Sequence, residues 1–202
     1  NDILKLHDGS FKLKSYINTV LSDDDSIITI STDCGVVIHA NDNWIPFSDD
    51  TANSIMTEIN KTRTRKGYLF TQTNSASGYP LTYPYLDDQS EEVLRKKVIK
   101  MIEGGMANAR KVGLDRIFSY AGYATPFVKG ENYNKTSLFP TPRFISNQLF
   151  EKNNSNINIE NLYPGDTLNI SNGIIDKAFV SSEDYSDDQI KNSTENYYSQ
   201  YK

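Results

Sequence analysis

Apolar and polar side chains alternate over Phe11-Lys12-Leu13-Lys14-Ser15-Tyr16-Ile17, which predicts a half-buried strand. Ser22-Asp23-Asp24-Asp25 follows as a turn, because Asp and Ser side chains bond their own backbone there. Two β-branched runs come next, Ile27-Ile28-Thr29-Ile30 and Val36-Val37-Ile38. Thr32-Asp33-Cys34-Gly35 joins them, with Gly35 expected to supply a positive φ in a hairpin. The runs are almost continuously apolar, which predicts a sheet covered on both faces. The second run leads directly into His39-Ala40-Asn41-Asp42-Asn43-Trp44, so a rigid strand ends in groups that can bind metal or protons.

The period then changes. Thr51 to Lys61 places Ile55, Met56 and Ile59 on one side and predicts a short helix, capped by Asp49 or Asp50. Gly67-Tyr68-Leu69-Phe70-Thr71 is a strand, and a small polar loop, Thr73-Asn74-Ser75-Ala76-Ser77-Gly78-Tyr79-Pro80, follows it. Ser90 to Val112 is the clearest helix, with Leu94, Val98, Met101 and Ile102 as its stripe. Ser90 is its expected cap, Gly104-Gly105 an expected bend and Gly113 its C-cap. Arg116 to Tyr120 is a strand, so helix, turn and strand make one αβ unit. A short helix is expected from Pro142 to Lys152, and Asn153-Asn154-Ser155-Asn156 reads as a connector. Pro164-Gly165 marks a turn, and Asn172-Gly173 with Ile174-Ile175 a final hairpin.

Composition narrows the function classes. The chain has 202 residues, 37% of them hydrophobic, which suits one domain or two small ones. A net charge of -5 gives no general drive towards nucleic acid or an anionic membrane. No apolar run is long enough to span a bilayer, and the first residues are not a signal peptide. The single Cys34 excludes an internal disulfide and an all-cysteine zinc site, and it fits a reducing, cytoplasmic setting. There are only two histidines, His7 and His39, so this chain alone cannot build a histidine-rich zinc or two-metal site. His7, beside Asp8-Gly9, reads as a surface loop residue. The chain opens without Met in what reads as mid-domain sequence, which predicts that it is part of a longer protein.

Two readings of the polar clusters stay open on the residues alone. Asp42 either caps the turn after its strand or binds a metal. The run Lys61-Thr62-Arg63-Thr64-Arg65-Lys66 is either a solvated connector or a patch for a phosphorylated ligand, with Arg63 and Arg65 as the contacts. Ser75 and Ser77 do not lie in a Gly-x-Ser-x-Gly elbow, and no histidine near them in sequence could activate a serine.

In order along the chain, His39-Ala40-Asn41-Asp42, Ser75-Ala76-Ser77-Gly78-Tyr79-Pro80-Leu81-Thr82-Tyr83, Ser119-Tyr120-Ala121-Gly122-Tyr123 and Tyr163-Pro164-Gly165-Asp166 form a recognisable set. They resemble the C-terminal half of the metallo-β-lactamase-fold domain in the CMP-N-acetylneuraminate hydroxylase-like group, over roughly Asp23 to Ile175. The resemblance implies an α/β fold, a four-layer αββα sandwich of which this chain is the C-terminal part or a truncated version. Residues 1–180 then form that domain, and 181–202 an acidic, Tyr-rich tail or terminal helix. It implies a divalent metal (zinc, iron or manganese) at one edge between the sheets, with Asp42 as a ligand. His39 is the weaker candidate, because a strand turns it to the face opposite Asp42. Tyr120 and Tyr123 become catalytic candidates, and Ser75, Ser77, Gly78 and Tyr79 substrate contacts. The implied activity is metal-dependent hydrolysis of a small molecule of the phosphorylated-sugar or sugar-nucleotide class. Its implied partner is the N-terminal half of the same domain. The family's His-x-His-x-Asp-His signature belongs to that other half and is absent here, and Tyr120-Ala121-Gly122-Tyr123 stands where the last metal-binding histidine is usual. A Rieske cluster needs two Cys and two His, so one cysteine excludes it. The alternative reading is a non-catalytic binding or interaction module on the same fold, with an aromatic surface from Tyr79 to Tyr85.

Overall fold

The computed structural model describes residues 3–6, 10–18, 25–40, 45–72, 88–120, 157–162 and 165–177. Seven strands form one sheet in sequence order: β1 (Ile3–Leu6), β2 (Phe11–Asn18), β3 (Asp25–Ser31), β4 (Val36–His39), β5 (Gly67–Gln72), β6 (Arg116–Tyr120) and β7 (Asn158–Asn161). The first four pair antiparallel, as a meander. From β4 to β7 every pair is parallel. Parallel neighbours need a crossover, and α1 (Asp49–Lys61) and α2 (Asp88–Lys111) supply it after β4 and β5. A mixed α/β architecture therefore holds.

The hairpin of β3 and β4 forms where the two β-branched runs predict it, with Ile30 opposite Val37. Thr32 closes the turn: its N–H donates to the Gly35 carbonyl at 2.9 Å, and its hydroxyl accepts from the Cys34 and Gly35 N–H groups at 3.1 and 3.2 Å. Gly35 is not among the positive-φ residues. Its role is close approach, since a Cβ there would meet Ile170 Cγ2 at 2.9 Å and the Lys66 carbonyl at 3.1 Å. Positive φ falls instead on Gly113, Gly165 and Gly173, and Gly113 ends α2 as the sequence predicts.

Helix α1 starts two residues before the expected position. Ser48, not Asp49 or Asp50, is the cap, and its hydroxyl accepts from Thr51 N–H at 3.1 Å. Both aspartates then lie in the first turn, where the helix dipole favours them. Helix α2 begins at Asp88, so Ser90 lies inside it. The apolar pattern of the sequence does not announce β1 and β7. The expected helix at 142–152, the segment around His7 and the tail from 181 lie outside the described residues. The Asn172-Gly173 signal becomes a hairpin of β8 (Thr167–Leu168) and β9 (Ile175–Asp176).

One core joins both helices to one face of the sheet. Ile55 and Ile59 of α1 and Ile102, Met106 and Ala109 of α2 meet Ile27, Val36, Ile38, Leu69 and Ile117. Consecutive right-handed crossovers that step the same way across a sheet put their helices on one side. Alternation turns Ile28, Ile30, Val37, His39, Tyr68, Phe70, Arg116 and Phe118 to the other face. There Phe70 stacks on Phe118 at 5.0 Å, and the Arg116 guanidinium lies 5.4 Å from the Phe118 ring. The turn between β8 and β9 docks on this face. Tyr68 donates to the Ile170 carbonyl at 2.8 Å and Arg116 to the Gly173 carbonyl at 2.7 Å. Burial pushes the Tyr68 hydroxyl pKa up, and the Arg116 charge offsets part of that rise.

Gly105 sets the distance between α2 and the sheet. A Cβ there would meet Thr71 Cγ2 at 2.8 Å and Oγ1 at 2.9 Å. Alanine gains about 1 kcal/mol of helix propensity over glycine, whereas overpacking costs roughly 1–3 kcal/mol, so the overlap wins. We expect Gly105→Ala to destabilise the protein by up to about 2 kcal/mol in urea unfolding. Thr71→Ala in the same chain should recover part of that loss, and strict additivity of the two substitutions would refute the contact.

Candidate functional site

Strands β4, β5 and β6 are parallel, so they end at the same edge of the sheet, at His39, Gln72 and Tyr120. The segments that the sequence singles out follow these ends. Asp42 comes three residues after β4, and Ser75, Ser77, Gly78 and Tyr79 begin three residues after β5. Tyr120 closes β6 opposite Gln72, and Tyr123 follows it. Ligands of open α/β sheets bind beyond the C-terminal strand ends. Asp42, Ser75, Ser77, Gly78, Tyr79 and Tyr123 themselves lie outside the described residues, as does the Tyr120 side chain.

At that edge the described groups are polar and largely buried. Thr71, Gln72 and Ser119 are all under one tenth exposed. Thr71 Oγ1 finds no hydrogen-bond partner among the described residues. His39 is half-buried on the face away from the helices, opposite Phe70 in the register, and it is engaged with a neighbour. Among the described residues no three or more His, Cys, Asp or Glu gather into a group that could hold a metal. These residues by themselves do not make up a metal's donor set.

The chain leaving β4 is held on both sides of residues 41–44. Ala40 N–H donates to the Phe70 carbonyl at 2.9 Å. After residue 44, Asn108 of α2 holds the chain: its Oδ1 accepts from Phe47 N–H at 2.8 Å, and its Nδ2 donates to the Ile45 carbonyl at 2.9 Å. Lys111, one turn on, donates to the Phe47 carbonyl at 2.5 Å and pairs with Asp49 at 2.7 Å. The signal for Asn108 in the sequence is an amide inside the apolar stripe between Met106 and Ala109. Only its contacts reveal what it does.

Arg63 and Arg65 are not brought to this edge. They precede β5, whereas Ser75 to Tyr79 follow it, and six extended residues span about 20 Å. Their connector is fastened to the β3–β4 turn. Arg63 N–H donates to the Asp33 carbonyl at 2.8 Å, Thr64 Oγ1 to the Cys34 carbonyl, and Arg63 Nη2 to Cys34 Sγ at 3.4 Å. Arg65 sits in the left-handed region, at φ 53°. A polar groove of about 430 Å³ lies between β2 and the outer face of α1, with Lys14 and Lys61 facing Asp50 and Glu58. Its charges cancel, and Lys61 pairs with Glu58 at 3.1 Å.

No family model matches the chain, and no curated protein matches it significantly. Among the described residues no helix is long and apolar enough to cross a membrane.

The Asp49–Lys111 pair gives a pH test of the clamp. Lys111 beside Asp49 holds its carboxyl below the ordinary 3.8. The folded-state pKa is depressed, so the pair's contribution is present above the unfolded pKa and fades as pH falls through the folded one. Asp49 is fully exposed, so salt screens it. Asp49→Asn should lower the melting temperature slightly at neutral pH and low salt. The gap should close in acid and in high salt, and a gap that persists in acid would contradict the assignment.

Proposed function

We propose that this chain is the C-terminal part of a metal-dependent hydrolase of the metallo-β-lactamase superfamily, with its site at the common end of β4, β5 and β6. The observation that carries the reading is that the motifs behind the resemblance all follow strand ends on one edge of a parallel sheet. The layering supports it further. Both helices cover one face, as in one half of an αββα sandwich. On the other face Leu13, Ile28, Ile30 and Val37 are only half-buried, and Phe11 and Ile17 are 38% and 60% exposed. Such a face suits a second sheet from the N-terminal half of the domain. The substrate class is a small phosphorylated sugar or sugar nucleotide, carried by the resemblance. The reading assigns Asp42 to a divalent metal, zinc, iron or manganese, which would polarise the substrate and supply hydroxide. It places Tyr120, Tyr123 and residues Ser75 to Tyr79 around the substrate. It does not draw on Arg63 and Arg65, which lie at the other end of β5.

The second reading is a ligand-binding module without catalysis on the same fold. Its support is the buried polar edge itself, where Thr71, Gln72 and Ser119 could meet a ligand without a metal.

Metal content of the full-length protein, purified without chelator, separates the two. The hydrolase reading expects stoichiometric divalent metal by plasma mass spectrometry, lost in Asp42→Ala at an unchanged fold by circular dichroism. Sub-stoichiometric metal in the parent protein would sink it. Unchanged content in Asp42→Ala would remove Asp42 from the ligand set.

A further inference from the structure

We propose that the Asn172-Gly173 turn is a site of spontaneous deamidation, closed while the β8–β9 hairpin is docked on the sheet and opened when it leaves. Among the described strands, β8 and β9 pair with each other and with neither neighbour in the seven-stranded sheet. Side chains of that sheet fasten their turn by donating to its carbonyls. Lys66 Nζ donates to Asn172 at 2.5 Å, Tyr68 Oη to Ile170 at 2.8 Å and Arg116 Nη1 to Gly173 at 2.7 Å. Such a dock can open locally without unfolding the sheet beneath it. Asn172 is exposed and Gly173 buried, so the reacting pair straddles the boundary of the dock.

Asn-Gly is the pair in which this reaction meets least hindrance, because glycine has no Cβ beside its nitrogen. Residues 172 and 173 are the one Asn-Gly of the chain. The Gly173 nitrogen attacks Asn172 Cγ, the Cγ–Nδ2 bond breaks, and ammonia leaves with the Gly173 amide proton. Water then opens the ring, at Cγ to give aspartate or at the main-chain carbonyl to give isoaspartate. The docked turn withholds both reactants. Gly173 N–H donates to the Asn169 carbonyl at 2.8 Å, which retains its proton. Asn172 Oδ1 accepts from Ile174 N–H at 2.9 Å, which fixes the side-chain amide. Gly173 itself, at φ 78°, is wedged against the sheet: a Cβ there would lie 3.2 Å from Arg116 Nη1 and 3.3 Å from Tyr68 Oη. Isoaspartate lengthens the main chain between the Asn172 carbonyl that Lys66 holds and the Gly173 carbonyl that Arg116 holds. The native dock is then lost, so the reaction makes an undocking event permanent.

The test is peptide mapping by mass spectrometry of the full chain held at mildly alkaline pH, with isoaspartate counted by enzymatic methylation. In the folded parent, Asn172 should react at least roughly tenfold more slowly than in the same chain unfolded in urea, because only the open population reacts. Tyr68→Phe, Lys66→Met and Arg116→Met each remove one fastening. Each should speed the reaction at Asn172 by roughly fivefold, the rise in open population expected for the loss of one hydrogen bond. Lys66→Met changes an exposed contact, so it carries the test if either of the other variants does not fold. Asn60, exposed in the last turn of α1 and followed by Lys61, is the internal standard and should react at the parent rate in every folded variant. Equal rates at Asn172 in the folded and unfolded parent would overturn the proposal. So would variants that react at the parent rate, or an acceleration shared by Asn60, which would trace the effect to unfolding of the whole chain.

Discussion

A parallel strand cannot follow its neighbour through a tight turn. From β4 onward, each connection must therefore carry the chain back across the sheet. That constraint organises this molecule. It turns the chain between β4 and β5, and between β5 and β6, into helices. It lays both helices on one face, where Ile55, Ile59, Ile102 and Met106 close over Val36, Ile38, Leu69 and Ile117. It also collects His39, Gln72 and Tyr120 at one edge although they are far apart in sequence. The other face is left with an aromatic and cationic cluster at β5 and β6 and an aliphatic stretch across β2, β3 and β4.

The elements that could be read from the sequence are those whose side chains meet the core with a regular period. Val36-Val37-Ile38, Gly67 to Thr71 and Arg116 to Tyr120 are apolar because parallel strands are covered on at least one face throughout. Asn158-Ile159-Glu160-Asn161 carries no strand pattern because β7 ends the row of strands, and Ile159 packs against the core. Glu160 faces Arg116 at 3.1 Å, a pairing that composition does not announce. The sequence does not single out the α1 cap, because Ser48, Asp49 and Asp50 are all good caps, and the structure uses Ser48, next to the buried Phe47.

The candidate site was legible to a different degree. Its position follows from motif order once the strands are known to be parallel. The hold of α2 on Ile45 and Phe47 does not, because Asn108 resembles any polar residue in an amphipathic helix until these two are found against it. Arg63 and Arg65 are a different case. A basic run beside a strand suggests a phosphate contact, but the strand's direction carries the run away from the edge where the other candidates follow.

The change from antiparallel to parallel pairing at β4 also divides the chain by the order in which it can assemble. Each pair from β1 to β4 joins strands adjacent in sequence, as where Leu6 meets Phe11 and Ser31 meets Val36. Closing such short loops costs little entropy. The last pair brings Arg116 to Asn158, and the β8–β9 turn reaches back to Lys66 and Tyr68. Pairings of that range form slowly, because their loops must close before any contact rewards them. The meander is thus held by local pairings, and the parallel part of the sheet by contacts distant in sequence.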